Sequence, residues 1–156
     1  MLFRSIIGKQ GKYISESEAI SHIAGYACVN DICARDLEFR TSQWASGKMV
    51  DTFGPLGPAL VTRDKVKDPN GLALKTILNG EVIQEGHTAG MVFKIPQLIS
   101  EISSITTLHP GDVILTGTPS DLGFISPPVF LQPGDTISVE VEGVGVLTNP
   151  VIAEVL

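Results

Sequence analysis

Asp31, Lys48 and Thr118 are the side chains of this sequence whose types and surroundings suggest chemistry. Asp31 follows Asn30 at the end of an apolar run. A carboxylate there could ligate a hard cation such as Mg²⁺. It could equally close a turn, the more frequent use of Asp in such a place, and spacing alone favours the turn. Lys48 lies in Gly47-Lys48-Met49-Val50-Asp51-Thr52. Beside an oxyanion a lysine stabilises developing negative charge, and with a lowered pKa it acts as a base. A solvated surface lysine is the ordinary alternative. Thr116-Gly117-Thr118-Pro119 follows the apolar run 113–115 and must turn tightly. Backbone N–H groups and threonine hydroxyls in such a turn suit a carboxylate; a plain turn fits as well. Arg35 and Asp36 read as a structural ion pair.

The elements that would position these groups are mostly strands. A short helix over 16–23 is expected from the capping pattern Ser15-Glu16-Ser17-Glu18. The small apolar run 25–33 reads as a buried strand that delivers Asn30 and Asp31 to its end. Residues 35–47 are polar and irregular. The stretch 53–58, with two prolines and two glycines, reads as a loop before a strand over 59–62. Asn79-Gly80 between the runs 72–78 and 81–84 predicts a type I′ hairpin, because both turn positions need positive φ. Pro96 opens a helix over about 96–106 with Leu98, Ile99, Ile102 and Ile105 on one apolar face. Pro110-Gly111-Asp112 and Pro133-Gly134-Asp135 are twin turns, each feeding a strand. After the second, Ile137, Val139 and Val141 alternate with polar residues, which marks a strand with one wet face. The sum is a β-rich α+β domain with a mixed, mostly antiparallel sandwich or roll and two short helices.

The remaining residues exclude several classes. The chain has 156 residues, enough for one domain with a real core. Its net charge of -6 and lack of a basic cluster argue against nucleic acid as a partner. No run reaches the roughly 20 apolar residues of a membrane helix, so no membrane partner is expected. No signal-peptide pattern is visible, and a cytoplasmic location is expected. Cys28 and Cys33 make a poor zinc site and a weak disulfide signal, so they read as small apolar residues. His22, His87 and His109 have no partner at metal-ligand spacing. There is no nucleophile elbow and no phosphate-binding glycine loop.

Three stretches, NDICARD at 30–36, GKMVDTFGPLGP at 47–58 and GDVILTGTP at 111–119, resemble the fumarylacetoacetate hydrolase family in order and spacing. The resemblance covers essentially the whole chain. It implies the family's C-terminal-domain fold and a metal-dependent enzyme. The substrate would be a 2-oxo or β-diketo acid or its enol, processed by C–C hydrolysis, decarboxylation or isomerisation and hydration in aromatic-compound catabolism. It implies a divalent cation, Mg²⁺ first and Mn²⁺ or Ca²⁺ as alternatives, a small 2-oxo acid as partner, and a homodimer. By the same resemblance Asp31 is a metal ligand and Thr52 belongs to a second-cation region. Lys48 is catalytic, Thr118 and Gly117 belong to the substrate-carboxylate loop, and Glu38 stands where relatives have a substrate-binding glutamine. Aligning Ile7-Gly8-Lys9 puts Leu2 where the second of two metal-binding glutamates belongs. The first would precede Met1, and a His-x-x-Glu lid would lie further upstream. The expectation is therefore a single domain over 1–156, truncated at its N-terminus. The rival expectation is an inactive family member that serves only as a dimerising or ligand-binding scaffold.

Overall fold

Alternation of apolar residues along short runs decides the architecture. The computed structural model describes residues 3–119 and 129–154. Eight strands, β1 (Phe3–Ile7), β2 (Ile23–Val29), β3 (Leu56–Thr62), β4 (Ala73–Leu78), β5 (Glu81–His87), β6 (Val113–Leu115), β7 (Thr136–Val141) and β8 (Gly145–Pro150), form two sheets. One runs β3-β2-β1-β6, the other β5-β4-β7-β8, and every pairing is antiparallel. Phe3, Ile7, Tyr26 and Cys28 of the first sheet share a buried core with Leu74, Val139, Val141 and Leu147 of the second. The Cys28 thiol donates to the Gly145 carbonyl, 3.2 Å away, and so ties the sheets together. Phe3 stacks on Tyr26 with ring centroids 5.1 Å apart.

The hairpin and the alternating strand are as expected. Asn79 and Gly80 have φ of 51° and 88°, the mirror-image turn that matches strand twist. Ile137, Val139 and Val141 are buried, and Thr136 and Glu140 face water. The twin turns share one device: the Asp112 carboxylate accepts from His109 N, and Asp135 from Gln132 N, each at 2.7 Å.

The helices depart from expectation. Among the described residues there are four α-helices: α1 (Glu16–Ala19), α2 (Arg35–Glu38), α3 (Ala45–Lys48) and α4 (Ile95–Ile105). The expected helix over 16–23 is α1 followed by a 3₁₀ turn, Ile20–His22. Ser15 Oγ donates to Glu18 Oε2 and makes no bond to a helix N–H. Helix α4 buries Ile95, Ile99 and Ser103, whereas Ile105 is 75% exposed. The serine belongs on that face because its hydroxyl accepts from Ile14 N at 3.0 Å and docks the preceding loop. Strand β2 ends at Val29, so 30–33 is loop, and β3 starts at Leu56, inside the expected loop.

Two buried groups set the alkaline limit of this core. Burial pushes the Cys28 thiol up to about 11 from 9.0 and the Tyr26 phenol up to about 12 from 10.0. Both are acids whose folded pKa is raised. The stability they contribute is whole below about pH 9 and is lost as pH rises through about 11 to 12. The melting temperature, followed by circular dichroism, is expected to fall steeply above about pH 9, and Cys28→Ala should soften the first part of the fall. A flat profile to about pH 11 would count against this assignment.

Candidate active site

The site grows from the loop after β2. Asn30 N donates to Pro55 O and Ala34 N to Gly47 O, which fastens residues 30–34 to the segment carrying α3. Helices α2 and α3 then cross at Gly47. A Cβ at that position would lie 2.6 Å from Glu38 Cβ and 2.8 Å from both Ala34 O and Glu38 Cα. Only glycine permits that approach, and the approach brings the next residue, Lys48, to Asp31. Lys48 Nζ donates to Asp31 Oδ2 at 2.9 Å. The side chains are 32% and 14% exposed, so the pair is half-shielded from solvent rather than a surface ornament.

Glu38 lies beneath this pair. It is buried and does not line the cavity described below. Arg35 Nη1 donates to its Oε2 at 2.7 Å. Its carboxyl is held below the usual range, first by the Cys33 thiol that donates to it and then by Arg35. The expected Arg35–Asp36 pair is thus replaced by Arg35–Glu38, the i,i+3 geometry of α2, while Asp36 pairs with Arg40 at 3.5 Å.

The opposite wall comes from the second sheet. Thr76 Oγ1 donates to Gln84 Oε1 at 3.0 Å, and Gln84 Nε2 donates to Thr118 Oγ1 at 3.2 Å and to Pro119 O at 3.1 Å. The Pro119 carbonyl, which can only accept, fixes which end of the Gln84 amide faces Thr118. Thr118 accepts from Gln84, so its own hydroxyl hydrogen stays available for an acceptor in the cavity. Thr116 Oγ1 donates to Phe3 O at 2.8 Å and anchors the loop to β1.

Between these walls lies a cavity of about 890 Å³. Asp31, Lys48 and Thr118 all line it, so the structure brings these three expected residues together. Thr52 and Gly117 do not line it. Thr52 is exposed with φ of 68°, and Gly117, at φ 102°, makes the turn that presents Thr118. Sequence reasoning missed Gln84 and Thr76. The one readable signal was Thr76 in phase with Leu74 and Leu78, a polar residue at an inward position. It also passed over Asn30, which lines the cavity with an unpartnered, buried Nδ2.

The donor set does not suit a divalent cation. Asp31 and Asp36 are the carboxylates that line the lysine's side of the cavity; an ammonium already occupies one oxygen of Asp31, and Asp36 pairs with Arg40. Among the described residues no group of three His, Cys, Asp or Glu could hold a metal ion. Hard cations take six or more oxygens, most of them anionic or carbonyl.

Gly47→Ala is the sharpest test of this construction. The added methyl meets backbone atoms on α2 and must push the helices apart. The fold should survive, since both helices lie outside the sheets, while the Asp31–Lys48 contact opens. The expected readout is a near-native circular dichroism spectrum and, where Lys48 acts as proposed below, about a hundredfold loss of turnover. Full activity would show that the crossing does not position Lys48.

The sequence pattern described as fumarylacetoacetate (FAA) hydrolase C-terminal matches residues 5–152, and the chain belongs to that family of enzymes. Its members generally bind a divalent cation and act on small molecules. Among curated proteins, the chain is 50% identical over 150 residues to human "Oxaloacetate tautomerase FAHD2A, mitochondrial", covering 94% of this chain and 48% of that one. Among solved structures, a fumarylacetoacetate hydrolase from psychrophilic Exiguobacterium antarcticum superposes with a TM-score of 0.94 at 42% identity, over 98% of this chain and 55% of that one. A 5-carboxymethyl-2-hydroxymuconate delta-isomerase from Mycobacterium smegmatis does so with a TM-score of 0.89 at 41% identity, over 99% and 58%. The chain therefore spans about half the length of the curated relatives it matches. The family and its β-rich, antiparallel fold were both legible in the three sequence stretches.

Proposed function

We propose that the site interconverts the keto and enol forms of a 2-oxo acid of the oxaloacetate kind. The Asp31–Lys48 pair inside the cavity carries this reading. Enolisation removes a proton from C3, moves its electron pair into a C2=C3 bond and leaves negative charge on the C2 oxygen. The Lys48 ammonium is the donor for that oxygen and gives it a proton. Asp31 Oδ1, the carboxylate oxygen not bound to Lys48, accepts the C3 proton, and the two groups reset through solvent. The Thr118 hydroxyl holds a carboxylate of the substrate from the other wall. The name of the human relative agrees with this chemistry.

The family's expected Mg²⁺ would have to draw most of its oxygens from water, from substrate or from groups beyond the described residues. A homodimer is the assembly we propose, on the strength of Leu56, Leu60 and Leu115, exposed on the first sheet.

A second reading, a binding scaffold without turnover, is favoured by the pairing of Asp31 with Lys48 and of Asp36 with Arg40, which leaves few free anionic oxygens. One experiment separates the two. Enol oxaloacetate is mixed with the protein and loss of its ultraviolet absorbance is followed against the uncatalysed rate. Catalysis above background supports the enzyme; saturable binding of oxalate with no acceleration supports the scaffold; neither result leaves the site without this function.

A further inference from the structure

Gln84 and Gly86 lie two residues apart on β5 and so share one face of the second sheet, opposite Thr76 and Leu74 of β4. The loop 116–119 comes down on that face. Gln84 is buried, and its polar groups are engaged. Its Oε1 accepts from Thr76 Oγ1, and its Nε2 donates to Thr118 Oγ1 and to Pro119 O. Both amide hydrogens are used, so Gln84 has none left for a ligand although it lines the cavity. Its influence on a ligand runs through Thr118, which is exposed.

Gly86 makes room for the same contact. A Cβ there would lie 2.5 Å from Pro119 Cγ and 2.8 Å from Pro119 Cβ. The proline ring therefore rests on the strand at a point where any other residue would push it away. Thr116 Oγ1 fastens the other end of the loop to Phe3 O. Between these anchors the Thr118 oxygen receives a Gln84 hydrogen, which leaves its own hydrogen for the cavity. Direction matters for an anion. A hydroxyl that turns freely offers either a hydrogen or lone pairs, and a carboxylate is held only by the hydrogen. Setting the direction beforehand removes an ordering cost from binding.

We propose that Gln84 and Gly86 are positioning residues for recognition of the substrate carboxylate: Gln84 makes Thr118 a hydrogen donor, and Gly86 lets the loop approach closely enough for that bond. The proposal rests on the 2-oxo acid reading above and deepens it by naming what makes Thr118 selective for an anionic acceptor.

The test measures oxalate affinity by calorimetry, with Mg²⁺ present, on the unaltered chain and its variants. Thr118→Val and Gln84→Met are each expected to weaken binding about tenfold. The double variant should bind no more weakly than Thr118→Val alone, because Gln84 acts through that hydroxyl. Gly86→Ala should also weaken binding about tenfold. Its melting temperature should stay near native, since Gly86 has no positive φ and the proline is what must move. In turnover of enol oxaloacetate, the loss for Gln84→Met should fall on KM rather than on kcat. Additive losses in the double variant overturn the inference and leave the 2-oxo acid reading standing. So does full affinity in Gln84→Met or in Thr118→Val, and so does a fall in kcat at unchanged KM. No oxalate binding by the unaltered chain overturns both. Where Gln84→Met does not fold, Gly86→Ala decides: full affinity there overturns the inference.

Discussion

On the proposed mechanism, Lys48→Met is expected to lower the turnover number for keto–enol interconversion by about 10²- to 10³-fold, the usual cost of removing one oxyanion donor. Methionine keeps the length of the stem and removes the charge, so packing against the cavity wall is little changed. Asp31 then loses its 2.9 Å partner. Because Lys48 is proposed to act on charge that develops only in the transition state, the loss belongs in kcat and KM should shift less. Lys48→Arg keeps the charge but changes its shape, and is expected to recover only a small part. Stopped mixing of enol oxaloacetate with each variant reads both constants. Equal loss in kcat and in affinity for oxalate would instead make Lys48 a ground-state binder, and unchanged kcat would remove it from the mechanism.

Ile99→Ala has the largest expected effect on stability, about 2–5 kcal/mol. Ile99 is fully buried in the middle of α4, on the face that packs in the shared core. The helix is held at its start by Gln97 Oε1, which accepts from Lys94 N at 2.9 Å, and by Lys94 Nζ donating to Ala89 O. Its start is therefore fixed, which limits how far it can slide to fill the space left by three missing carbons. Urea unfolding should show a lower midpoint with an unchanged slope. Leu98→Ala, half-buried on the same helix, is the control and should cost clearly less. Equal effects would mean that α4 packs in another rotation.

What the sequence disclosed follows from where information is local. The hairpin at Asn79–Gly80 and the alternation at 136–141 are written in adjacent residues, and both stand in the structure. The family and the pairing of Asp31 with the cavity came from blocks of short motif. Helices α2 and α3 were not readable, because four-residue helices are set by the Gly47 crossing rather than by any periodic apolar face. The relay through Thr76 and Gln84 was hidden for a related reason. A polar residue announces an inward role only once strand register is known, and β4 and β5 carry a register shift between Thr76 and Ile77. Glu38 and Thr52 were placed by correspondence of position, and the structure puts one below the cavity and the other outside its lining.

The two walls of the cavity come from different sheets, and this has a consequence for how such a site can change. The charged wall is carried on one continuous stretch of 18 residues, from Asp31 to Lys48. The facing wall, with Ile83, Phe130 and Ile137 beside Gln84, belongs to the second sheet and the segment leading into β7. A substitution on the facing wall alters the room for a substrate's tail without disturbing the ion pair. Selectivity and reactivity are thus separately adjustable, and a library confined to positions 83, 130 and 137 can retune one while inheriting the other intact.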